Sequence, residues 1–204
     1  LPEGVMPPRG SQGFIESFSV VPGKYNVKLS YGDYEKISSF EILPDPRNEI
    51  DESHFTRKSV LMKDIHDDIN DIYSSLKKMQ SARDQLDDLE SRLSDEKFSK
   101  ISELSKSTVK LIDDTELKLI SPKQKTFQDV INFRNQLDAQ FLDLLSKVDG
   151  NVPPITSGEL TRYKDLKSEW LKIKTGYNQV VSNIQDINKM LIESSVPFIS
   201  RGGE

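Results

Sequence analysis

Five polar residues in the first long helical stretch have the types and spacing that could bind a metal ion. They are Asp64, His66, Asp67, Asp68 and Asp71. Carboxylate oxygens and imidazole nitrogens are common ligands of divalent cations. The five alternate with Ile65, Ile69 and Ile72, which are expected to face the core, so we predict a solvated helix face without metal. Carboxylate-bridged metal sites in helical bundles also use Glu-x-x-His pairs from several helices, and this chain has none.

The sequence also has no combination of residues that would support nucleophilic or acid–base catalysis. The two histidines are His54 and His66, and there is no cysteine. The adjacent carboxylate pairs are Asp87–Asp88 and Asp113–Asp114. Neighbouring residues of a helix point in different directions, so we interpret these pairs as surface charge. There is no glycine-rich phosphate loop either. The sequence therefore predicts no catalytic residue, no cofactor and no metal.

Two groups of aromatic residues could bind a ligand by stacking. One group, at helical spacing, is Tyr163, Trp170 and Tyr177, and the other, in a strand pattern, is Tyr25, Tyr31 and Tyr34. The first group could form a ligand platform, but residues at this spacing usually belong to a core. The second could stack on a sugar, and we favour packing between layers instead.

The second aromatic group lies in a predicted β-hairpin. Residues 25–31 and 35–43 alternate apolar and polar side chains, Gly32-Asp33 supplies the turn, and Pro44 ends the second strand. Residues 14–20 could add a short strand. Two or three strands do not bury a face alone. The apolar face of the hairpin therefore needs cover from the irregular arm at residues 1–13, from the helices, or from a second copy.

The remainder of the chain has the periodicity of four helices. A near-heptad pattern without Gly or Pro begins near Ser53 and predicts a first helix of about 40 residues. The second begins near Ser94-Asp95, the third near Thr126, and the fourth at a capping box, Thr156 to Glu159. We predict a mainly α protein, an antiparallel, up-down-up-down four-helix bundle with long helices. The predicted division is 1–47, irregular arm and partial β-sandwich of two to three strands; 48–200, four-helix bundle; and 201–204, tail.

Composition excludes some partners. The 204 residues carry a net charge of −5, from 28 basic and 33 acidic residues, which disfavours nucleic acid. No apolar run approaches the roughly 20 residues that span a bilayer, so membrane insertion is not expected.

One stretch resembles a recurring junction in a known family. Its residues are Val21-Pro22-Gly23-Lys24-Tyr25-Asn26-Val27-Lys28-Leu29, Gly32, Phe40-Glu41-Ile42 and Asp45-Pro46-Arg47. They resemble the end of the C-terminal immunoglobulin-like domain of bacterial exported β-propeller proteins, the sortilin-like or BNR (sialidase-like) repeat proteins labelled glycosyl hydrolases. Gln128-Asp129-Val130-Ile131-Asn132 and Val148-Asp149-Gly150 resemble elements of the helical tail of these proteins. Phe133-Arg134 departs from that pattern, which usually has prolines there.

The resemblance implies a role and a context. It implies a non-catalytic structural or interaction module at the C-terminal end of a larger exported protein, whose upstream domains are its partners. Asp45, Pro46 and Arg47 would form a stiff junction between sandwich and helices. Two alternatives stay open: part of a carbohydrate-active enzyme with catalytic residues outside this chain, and a coiled-coil adaptor that dimerises. Self-association through the hairpin is a further alternative.

Overall fold

The computed structural model describes residues 18–93, 96–126 and 128–194. It contains a two-stranded antiparallel hairpin, β1 and β2, followed by four helices of 14 residues or more, one short α-helix, and a 3₁₀ turn at Glu96–Phe98. The strands are β1 Gly23–Tyr31 and β2 Tyr34–Ile42. The helices are α1 Glu52–Arg92, α2 Ser99–Leu119, α3 Asp129–Asn132, α4 Leu137–Gly150 and α5 Ser157–Glu193. The mainly helical class and the hairpin are thus as predicted.

Helices α1 and α5 begin where the sequence predicts. Asp51 caps α1 by accepting a hydrogen bond from the backbone N–H of Ser53 at 2.8 Å. Thr156 and Glu159 form the predicted capping box of α5, with each side chain bonded to the other residue's backbone N–H. The start predicted for the second helix at Ser94-Asp95 lies outside the described residues.

Side-chain contacts fix the direction of each helix. Along α1, Lys58 contacts the end of α4 and Tyr73 its start, so α4 is antiparallel to α1. Further along α1, Arg83 bonds Glu116 near the end of α2, and α2 is likewise antiparallel to α1. Helix α5 runs parallel to α1, because its contacts with α1 rise in residue number together, from Asp68–Tyr163 to Asp71–Trp170.

The helices therefore form three rods. Two are the long helices α1 and α5, and the third consists of α2 and α4 in succession along the same direction. The predicted up-down-up-down order of four antiparallel helices is not confirmed. The connection from Ile120 to Gln136 is long enough for α4 to continue in the direction of α2 instead of turning back.

The predicted third helix is also shorter than expected. Its first part is only the single turn of α3, and α4 begins at Leu137. The side-chain amide of Gln124 donates to the backbone oxygen of Phe133 and the side-chain oxygen of Asn135, both at 3.1 Å. These contacts stabilise an extended segment where the apolar periodicity indicated helix.

One hydrophobic core is shared by the rods. Its largest fully buried side chains include Trp170, Phe141 and Met62, which come from α5, α4 and α1. Helices α2 and α5 approach closely at Gly176, where an added Cβ would lie 2.7 Å from Oγ1 of Thr115. Glycine is required there by the distance between the helices and not by its backbone angles.

Candidate functional site

The hairpin presents one apolar face and one polar face. Tyr25 lies opposite Phe40, Val27 opposite Ser38, and Gly23 opposite Ile42. Directly opposed residues of an antiparallel pair share a face. The apolar face consists of Tyr25, Val27, Leu29, Tyr31, Tyr34, Lys36, Ser38, Phe40 and Ile42. It includes every residue that the sequence pattern assigned to this side.

Most of the apolar face is exposed in the described structure, and only Tyr25 and Ile42 in it are half-buried. Tyr31 is 84% exposed, Leu29 61% and Val27 54%. Tyr25 and Phe40 stack on each other, with ring centroids 5.9 Å apart. No hairpin Cα lies within 8 Å of a helix Cα in the described part of the chain. Among the described residues, the helices therefore do not supply the predicted cover, and the arm at 1–13 lies outside those residues.

Polar pairs occupy the other face. The ammonium of Lys28 lies 2.6 Å from the carboxylate of Glu35, and Ser39 donates to the side-chain oxygen of Asn26 at 2.8 Å. These four polar groups therefore bond within the hairpin, and the same face also carries the exposed side chain of Ile37. The apolar face is therefore the candidate interaction surface of the hairpin.

The segment before β1 is held against the helices. The ring of Phe18 meets that of His66 edge-on at 5.7 Å, and the backbone N–H of Ser19 donates to the carboxylate of Asp149 at 3.2 Å. The hydroxyl of Tyr25 then donates to the backbone oxygen of Val21 at 2.6 Å. The described residues 18–22 form no strand, and residues 14–17 of the strand predicted there lie outside the described range.

The predicted junction residues form a turn of their own. Nε and Nη2 of Arg47 donate to the two carboxylate oxygens of Asp45 at 3.0 and 2.6 Å. The backbone N–H of Arg47 donates to the same carboxylate at 3.0 Å. The pKa of Asp45 is lowered mainly by the side-chain hydrogen bond from Arg47 and, to a smaller extent, by the backbone hydrogen bond from Arg47. The Arg47 side chain is 87% exposed, so these hydrogen bonds restrain only residues 45–47.

The acidic cluster on α1 is divided between surface and interior. Asp64 and Asp67 are exposed as predicted, but Asp68 is only 4% exposed, which corrects the prediction for that residue. Asp68 accepts hydrogen bonds from the hydroxyl of Tyr163 and the ammonium of Lys167. A buried carboxylate is stable when it is paired and hydrogen-bonded in this way.

Asp71 repeats this arrangement one turn further along. It accepts a hydrogen bond from Nε1 of Trp170 at 3.0 Å and another from the ammonium of Lys174. The two aspartates therefore link α1 to α5. No group of three or more side chains in the described residues is arranged to bind a metal ion.

The aromatic residues of α5 belong to the core, as we favoured. Trp170 is fully buried, and Tyr163 and Tyr177 pack partly buried against the same core. Burial, and then the charge of Asp68, raise the pKa of Tyr163, so its hydroxyl stays protonated. The hairpin tyrosines differ from expectation, because Tyr31 and Tyr34 are exposed and contact no second layer of the described structure.

The remaining candidate residues, the histidines and the paired carboxylates, do not lie together. Helix α1 carries both histidines, and His54 lies three turns before His66. The paired carboxylates, all exposed as predicted, are Asp87, Asp88, Asp113 and Asp114. Asp113 contacts Arg83 at 3.3 Å in an ordinary surface ion pair. The structure does not assemble these residues into a reaction centre.

Sequence reasoning missed an apolar cavity of about 470 Å³. Its walls come from the first turns of α1 and α5 and from the loop before α5. They include His54, Arg57, Val60, Asp64, Ile155 and Leu160. Because the two walls are about a hundred positions apart along the chain, no local pattern could have indicated this cavity.

Comparison with family models, with curated proteins and with solved structures found no match. Within the described residues, no helix has the length and apolar character needed to cross a bilayer.

Proposed function

We propose that this chain is a non-catalytic structural and interaction module, whose hairpin completes a β-sandwich formed by polypeptide that precedes it. The observation that carries this proposal is the exposed apolar face on a hairpin that contacts no described helix. Two strands alone are marginally stable in water, whereas a sandwich covers such a face with a second sheet.

A local detail supports an immunoglobulin-like sandwich in particular. In these domains a tyrosine near the start of the penultimate strand bonds back to the backbone a few residues upstream. Tyr25 lies near the start of β1 and donates to the backbone oxygen of Val21, four residues earlier. The hairpin would then supply the last two strands of the sandwich.

The wider context of the proposal comes from the sequence resemblance described above. The parent would be a large exported, sialidase-like β-propeller protein, and any catalytic residues would lie outside this chain. Within the parent, the hairpin belongs to the sandwich, Asp45–Arg47 forms the junction, and the helices project from it. The role of the chain is then to attach and position the helices.

Hydrogen exchange tests this proposal directly. The backbone amides of residues 23–42 would be compared in this chain and in a longer polypeptide from the same reading frame. Added strands should protect the outward-facing hairpin amides, while amides of α5 serve as an internal reference. In the longer polypeptide, Leu29→Ser on the apolar face should lower that protection, whereas Ser30→Ala on the polar face should not. Equal exchange of the hairpin in both polypeptides would overturn the proposal.

A further inference from the structure

The two strands of the hairpin differ on the apolar face. On β1 this face is uninterrupted, with Tyr25, Val27, Leu29 and Tyr31 in succession. On β2 it contains Lys36 and Ser38. A charged side chain pointing to the apolar side is a device by which an edge strand resists further pairing. The composition thus favours β2 as the outer strand and β1 as the strand that accepts a neighbour.

The turn determines which amides of β1 are available to a neighbour. Tyr31 and Tyr34 flank the two-residue turn at Gly32-Asp33, and such a turn is closed by a hydrogen bond between its flanking residues. Hydrogen-bonded and non-hydrogen-bonded pairs alternate along an antiparallel ladder. The amides that point away from β2 are therefore those of Lys24, Asn26, Lys28 and Ser30.

The outer edge of β1 is complementary to itself. An antiparallel pairing of all nine residues with β1 of a second copy places Val27 opposite Val27 on a twofold axis. In this register Asn26 lies opposite Lys28, and Lys24 opposite Ser30, so no like charges are directly opposed. The equivalent pairing of β2 would place Glu35 opposite Glu41 twice, which is destabilising.

We propose that the chain dimerises by pairing the outer edge of β1 with β1 of a second copy. The product is a four-stranded antiparallel sheet, with β1 strands in the centre and the Lys36-bearing β2 strands outside. Such a sheet exceeds the two-stranded limit of marginal stability. The inference depends on the proposed function only in using the hairpin as the binding element. In the longer polypeptide, a strand of the sandwich would take the same edge.

Sedimentation equilibrium of three proteins tests this pairing. The wild-type chain should shift with concentration from 23.2 kDa toward twice that mass. Asn26→Pro removes an outward amide of β1 and should abolish the shift. Ser39→Pro is the matched control, because it changes the cross-strand partner of Asn26 on the β2 edge and should leave the shift intact.

Two glutamate variants test the same pairing without a proline, so any unfolding caused by proline does not affect them. Asn26→Glu places a carboxylate opposite Lys28 of the second copy and should strengthen the dimer, whereas Ser39→Glu should not. A wild-type chain that stays monomeric would overturn the proposal. So would a dimer that persists in Asn26→Pro, or one that is lost equally in Ser39→Pro. The hydrogen-exchange comparison for the proposed function is run at a concentration where sedimentation shows the shorter chain to be monomeric, so that dimerisation does not protect the same amides.

Discussion

Asp138, at the start of α4, permits a quantitative prediction about pH and stability. Its side chain is buried, accepts a hydrogen bond from the backbone N–H of Ala139 at 2.6 Å, and lies 3.4 Å from the hydroxyl of Tyr73. Burial raises the pKa of Asp138 from its ordinary 3.8 to about 6, although these hydrogen bonds act in the opposite direction. The carboxyl group is therefore more acidic in the unfolded chain than in the folded one.

The sign of the effect follows from this difference in pKa. Below pH 3.8 both states hold the proton, and burial of Asp138 carries no ionisation cost. Between that pH and about 6 the unfolded chain loses the proton first, so the free energy of unfolding falls as pH rises. Above about 6 the full penalty remains, and two pKa units correspond to about 3 kcal/mol.

Asp138→Asn removes this titration. Its amide oxygen still accepts from the backbone N–H of Ala139, and its amide NH2 faces Tyr73 and can donate to the hydroxyl oxygen of Tyr73. The substitution also removes a negative charge at the start of α4, which costs about 0.3–1 kcal/mol. At pH 7 the variant should therefore be more stable than the wild type by about 2 kcal/mol. Near pH 4 the gain should vanish. Urea unfolding from pH 4 to pH 8, monitored by circular dichroism and by the fluorescence of Trp170, measures this difference in stability at each pH.

Asp143→Asn is the matched control, since it makes the same change in the same helix at an exposed residue paired with Lys147. It should not reproduce the pH-dependent difference. The comparison with wild type at each pH cancels the contributions of all other carboxyl groups. A constant difference between wild type and Asp138→Asn across this range would refute the reasoning.

Two further predictions concern close packing and the junction. Gly176→Ala should lower the free energy of unfolding by about 1–3 kcal/mol, because its methyl group overpacks against Thr115. Adding Thr115→Ala should restore most of this loss. A Gly176→Ala variant as stable as wild type in urea would contradict the prediction. Arg47→Ala should increase proteolytic cleavage between Pro44 and Asp51 without changing the melting curve, because Arg47 bonds only within its own turn among the described contacts. Unchanged cleavage would remove the junction role.

The features that sequence predicted well are those encoded locally. The alternation in residues 25–31 and 35–43 indicated the hairpin and its apolar face. The capping box at Thr156 and the glycine-free, proline-free seam from Ser53 indicated the two long helices. In each case neighbouring residues carry the signal, through the strand period, the helix period or a cap.

The features that sequence could not predict depend on distant contacts. Asp68 was expected on the surface, since nothing near it in sequence shows that Lys167 and Tyr163 will meet it from α5. Periodicity also identifies which face of a helix is apolar but not which helix covers it. The expected short connections predicted helices of alternating direction, whereas contacts such as that of Lys58 with the end of α4 show that α4 is antiparallel to α1.

The three-rod arrangement has a mechanical consequence. Because α5 runs parallel to α1, the chain crosses the length of the helical part three times between the hairpin and residue 194. The hairpin joins the first turn of α1, whereas α5 ends at the far end of the rods. A helix of 37 residues is about 55 Å long. Tension applied between the hairpin and residue 194 would therefore load the rods along their length instead of peeling one from another.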